Sequence, residues 1–195
     1  PSRGYLQVVP QNVGALMQYV AYYNGASAGN YCNQQAMSYA SPSNISYNYD
    51  WWEGVGKGMV TIMTYIDDNM DEIEAQRYQD LRAICGIVKV YEAFRVFQNY
   101  GAAIYSQAFQ GLEGNLVPTY DIFDNSVYES LDDELAGYIK VLAAPAEETA
   151  AELGEFDPIY GYIVSSTPTA PATRGDYTQQ RTLWKKFANS YRLYM

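Results

Sequence analysis

The chain has 195 residues, 48% hydrophobic and 17% charged, so one domain of ordinary size with a real core is expected and a disordered chain is excluded. Twelve basic against 22 acidic residues leave a net charge of −10 and no basic cluster, which argues against a nucleic-acid partner, because neutralising phosphates takes concentrated Lys and Arg. There is no histidine, which removes the commonest general base and metal ligand, and no run of about 20 apolar residues that would make a transmembrane helix.

From the N-terminus, Asn12 is placed to cap a helix through Val13, Leu16, Met17, Val20 and Tyr23, ending at Asn24-Gly25. Residues 29–50 follow without any sustained period, rich in Tyr, Asn and Ser, and contain Tyr31, Tyr39, Tyr47 and Tyr49. They predict a long loop, and loops of that length inside a domain are commonly functional. The loop delivers the chain to Trp51-Trp52.

Residues 51–100 are the organising stretch. Trp51, Trp52, Val55, Met59, Ile62, Met63, Ile66, Met70 and Ile73 fall at steps of three and four and draw one apolar stripe along a helix. Asp67, Asp68, Asp71, Glu72 and Glu74 crowd the expected turn. A second helix through Tyr78, Leu81, Ile84, Cys85, Val88, Tyr91 and Val96 should stop at Gly101. Each arm would be roughly 35 Å long, the two antiparallel, and neither hides its stripe without further helices. Beyond an irregular connection at 102–120, Asp121 or Asp124 caps a third helix through Val127, Tyr128, Leu131, Leu135, Ile139 and Leu142. Residues 143–181 are again irregular, broken by Pro145, Pro158, Pro168 and Pro171. The last segment, 182–195, returns to helical spacing through Leu183, Phe187, Tyr191 and Tyr194 and ends without a cap. A fragment of a longer protein is therefore expected, with an exposed apolar face at Phe187 and Tyr191. The fold class is all-α, with long irregular loops.

Motifs for chemistry are weak. Gly54-Val55-Gly56-Lys57-Gly58 has the wrong spacing for a phosphate loop and lies within a helical stripe. Asp67, Asn69 and Asp71 open like a calcium loop, but Glu72 stands where the turn needs Gly, so a solvated acidic turn is the better reading. Asp157 and Asp176 are candidate acid/base carboxylates that nothing in the sequence brings together. Cys32 and Cys85 lack zinc spacing and leave two readings open, a buried thiol at Cys85 or a single bridge between the two. No cofactor or metal is expected. The 21 tyrosines, many beside Asn, Ser and Gly, offer flat apolar faces with polar tips, suited to sugars, peptides or wet interfaces as well as to core packing.

Two stretches carry a family resemblance. The first runs Tyr100-Gly101-Ala102-Ala103-Ile104-Tyr105-Ser106-Gln107-Ala108, then Pro118-Thr119-Tyr120-Asp121, then Val127 to Leu135. The second is Asp157-Pro158-Ile159-Tyr160-Gly161, followed after an insertion by Leu183-Trp184-Lys185-Lys186-Phe187-Ala188-Asn189-Ser190-Tyr191-Arg192-Leu193. Together they resemble the SusD/RagB family (SusD-like), nutrient-binding lipoproteins of Bacteroidetes outer membranes. Ile104 and Tyr191 depart from the family's usual Pro and Leu, and residues 162–182 form a long insertion.

The resemblance implies tetratricopeptide-like helical pairs, with residues 1–195 as the N-terminal part of one helical domain. It also implies no enzymatic activity, tethering at the outer membrane's extracellular face by a lipid anchor outside this sequence, and a role as lid on a TonB-dependent (SusC-like) transporter. The ligand would be an oligosaccharide or peptide nutrient. In the family's starch-binding members an aromatic arc stacks on sugar. The matching region here gives Tyr47, Tyr49, Trp51 and Trp52 as candidate ligand-binding residues, although Trp51 and Trp52 suit a core position at a helix start equally well. The rival function is a helical repeat scaffold that binds a protein partner and no small ligand.

Overall fold

The structure, a computed structural model, describes Trp51, residues 53–146, 150–154, Asp157, and residues 159–163, 173–174 and 177–195. The chain divides into two compact units, Pro1–Gly54 and Val55–Met195. The expected helix at 12–25 and the loop at 29–50 lie outside the described residues.

The second unit is mainly helical: α1 (Val55–Asn69), α2 (Glu72–Arg77), α3 (Gln79–Tyr100), α4 (Asn125–Ala143) and α5 (Tyr177–Tyr194). Helices make up 70% of the described region. Two strand pairs interrupt it. β1 (Ala102–Ala103) pairs antiparallel with β2 (Asp121–Ile122), and β3 (Tyr162–Ile163) with β4 (Thr173–Arg174).

Cross-helix contacts fix the helix directions. Arg82 near the start of α3 holds Asp67 near the end of α1 with two hydrogen bonds of 2.7 and 2.8 Å. Lys89 on α3 meets Glu134 on α4, while the Tyr138 ring lies over Gly86. Arg192 and Arg181 on α5 reach Asp132 and the Val141 carbonyl on α4. Each consecutive long pair therefore runs antiparallel, as the helical-pair expectation requires. Tyr91 and Phe94 on α3 pack against Tyr191 while Asp80 meets Arg181, so α3 and α5 run parallel.

Three expectations need correction. The first arm is not one long helix: α1 ends at Asn69, and Asp71 caps a new short helix by accepting a 2.9 Å hydrogen bond from the Glu74 amide. Ile73 thus falls off the stripe and is exposed. The acidic residues that crowd this point are easier to solvate in a break than along a packed face. The second arm carries no single stripe. Packed against α1, α4 and α5, α3 buries Ile84, Cys85 and Val96 of the stripe expected, leaves Tyr78, Leu81, Val88 and Tyr91 half-buried, and buries Ala83, Ile87, Val90, Phe94 and Phe97 as well, with Phe94 to Phe97 buried consecutively. A helix enclosed on all sides loses the one-sided pattern of a surface helix. Finally, α5 begins at Tyr177, not at 182, and it buries Tyr191, whose hydroxyl donates to the Tyr91 carbonyl at 3.2 Å. The face expected to be exposed is instead docked on α3, with Phe187 half-buried and stacked on Tyr191.

The expected end of α3 and start of α4 hold. Gly101 stops α3 at a left-handed φ of 71°, its amide donating to the Phe97 carbonyl. Between the two candidates for the α4 cap, Asp124 takes the role, accepting from the amides of Ser126 and Val127. Cys85 is a free thiol in the core, pushed up to about 11 by burial, which leaves it inert at neutral pH. Cys32 lies outside the described residues.

Candidate binding surface

Of the four residues singled out for ligand binding, Trp51 is described, and it is 1% exposed. Its faces are packed and not on offer for stacking, which favours the core position over the sugar platform. Tyr47, Tyr49 and Trp52 lie outside the described residues, as does Asp176.

Asp157, a candidate general base on sequence, is given a different role. Its Oδ1 accepts the amides of Ile159 and Tyr160, both at 2.9 Å, and its Oδ2 accepts the Trp184 indole N–H at 2.6 Å. Tyr160 packs edge-on against Trp184 at 5.2 Å. Gln180, one turn ahead of Trp184, donates to the carbonyls of Gly154 and Tyr160. Buried at 3% and 2% exposure, Asp157 and Trp184 pin the turn at residues 159–161 onto α5. A carboxylate that accepts three N–H donors and is shut off from solvent is a structural tie.

A second tie anchors the loop between α3 and α4. Asp121 Oδ2 accepts the amides of Tyr105 and Ser106 at 2.9 and 2.8 Å, and its Oδ1 accepts the Ser106 hydroxyl at 2.8 Å. Burial alone would raise the Asp121 carboxyl, but the Ser106 and Tyr105 hydrogen bonds outweigh it and hold the group below the usual carboxylate range. Further along, Gln107 Oε1 accepts from Asn115 Nδ2 and the Thr119 amide, and the Asn115 amide donates to the Gln110 carbonyl. Phe109 adopts φ 66°, unusual for a residue with a bulky side chain. These bonds fix a loop that turns Leu112, Leu116, Val117, Tyr120 and Ile122 outward at 69% to 105% exposure.

A third cluster joins α3 to α4. Glu134 accepts from the hydroxyls of Tyr105 (2.8 Å) and Tyr138 (3.2 Å) and pairs with Lys89 at 2.6 Å. Burial first, then the neighbouring Glu134 charge, keeps both phenols protonated far above neutral pH. The Tyr138 and Glu134 spacing is legible on one helix face, but their Lys89 and Tyr105 partners come from elsewhere in the chain, with no local signal to announce them.

A cleft of about 280 Å³ lies where the end of α2, the start of α3, the end of α4 and the start of α5 converge, lined by Arg77, Asp80, Lys140, Val141, Pro145 and Arg181 among others. Its floor is a buried ion pair. Arg181 Nε lies 2.7 Å from Asp80 Oδ2 but out of line for a hydrogen bond, while an Arg181 terminal nitrogen donates to Asp80 Oδ1 at 3.2 Å. The Tyr177 hydroxyl also donates to Asp80, and burial followed by that bond raises the phenol. With both charges turned on each other, the floor serves to join α3 to α5. Among the described residues, no three carboxylates or thiols converge so as to hold a metal ion, and no helix is long and apolar enough to cross a membrane.

No family model, curated protein or solved structure matches the chain.

Proposed function

We propose that this protein is a SusD-like nutrient-binding protein of the outer-membrane surface, capturing an oligosaccharide or peptide and handing it to a TonB-dependent transporter. The observation that carries the reading is where the resembling residues sit. Asp157, Tyr160 and Trp184 of the second stretch join one another, as do Tyr105 and Asp121 of the first. The two stretches also meet, through the paired hydrogen bonds of Arg192 to Asp132, both 2.6 Å. Residues that form the ties of one scaffold are those a shared fold would keep, and unrelated matches scattered along the sequence would have no reason to pair.

Helical pairs then act as a rigid frame, and ligand contacts fall to loops carried on it. In this reading Tyr47, Tyr49 and Trp52 supply aromatic faces for the apolar C–H faces of a sugar, with neighbouring Asn side chains donating to and accepting from hydroxyls. No chemical step, cofactor or metal is involved, and a lipid anchor holds the protein at the extracellular face.

Screening the protein against an array of neutral oligosaccharides and short peptides tests the reading. Selective binding of one ligand class is expected. Binding to none, together with stable capture of a protein partner other than a transporter, would replace it with the scaffold reading.

A further inference from the structure

We draw no further inference here: the strongest candidate, the cleft where α2, α3, α4 and α5 converge, carries nothing, because Arg181 on its floor is already turned on Asp80 and nothing in the structure shows what would occupy the space beside Lys140.

Discussion

Trp184 donates its indole N–H to Asp157 at 2.6 Å, and both side chains are almost fully buried. The bond closes the second resembling stretch onto itself across the insertion that separates its halves. Trp184→Phe keeps most of the ring volume but leaves Asp157 Oδ2 buried without that donor. A loss of about 1–3 kcal/mol is expected, read as a lower urea midpoint at constant m-value. An unchanged midpoint would show that the bond does not hold the turn.

Two helical glycines should respond in opposite directions to the same change. A Cβ at Gly86 would run into the Tyr138 ring, which Glu134 holds by its hydroxyl, whereas a Cβ at Gly137 would meet nothing within 4 Å. Gly137→Ala should stabilise by about 0.5–1 kcal/mol through helix propensity. Gly86→Ala should destabilise, because forcing α3 and α4 apart costs about 1–3 kcal/mol and exceeds that gain. Thermal melts of the two variants decide the point.

Removing Arg181 would strand Asp80 in the interior. Arg181→Met is expected to cost about 3–5 kcal/mol, the usual loss when one member of a buried pair is deleted. Adding Asp80→Leu should recover part of it. Chemical denaturation of the single and double variants measures both, and a single variant as stable as wild type would contradict the assignment of this pair as the joint between α3 and α5.

Acid should loosen the α3–α4 loop. The Asp121 carboxyl is lowered in the folded chain, so its contribution is fully present above the unfolded value of about 4 and fades as pH falls through the lower folded value. Amide exchange at Tyr105 and Ser106, normalised for its intrinsic pH dependence, should therefore gain protection as pH rises toward 4 and level off above it. In Asp121→Asn that dependence should flatten. Equal curves for the two proteins would exclude Asp121 as the clasp.

Much of this architecture is legible in the sequence wherever a helix has one wet side. α4, with Leu131, Leu135 and Leu142 on its buried face, sits where its periodicity places it. α3 was less legible because it is enclosed, and the rule that finds a stripe cannot find a helix buried all round. The break at Asp71 was visible only as an acidic cluster, since a cap inside an apolar stripe looks like a surface residue until the chain is folded. The polar ties were harder still. Asp157 and Trp184, or Lys89 and Glu134, are partners only in space, and each residue by itself has several equally good local explanations. Trp51 shows the converse: its place beside a Tyr-rich stretch of sequence suggests a ligand face, whereas its side chain is buried.

The proposed function requires aromatic side chains ahead of α1 to bind the nutrient. Isothermal titration of the ligand selected from the array, into wild type and into Tyr47→Ala, Tyr49→Ala and Trp52→Ala, tests it most directly. At least one variant should bind roughly thirtyfold more weakly, about 2 kcal/mol, with an unaltered melting temperature. Trp51→Ala should instead lower the melting temperature, as truncation of a buried Trp by about 3–5 kcal/mol requires. Wild-type affinity in all three variants would contradict the proposed site and place the ligand elsewhere on the protein.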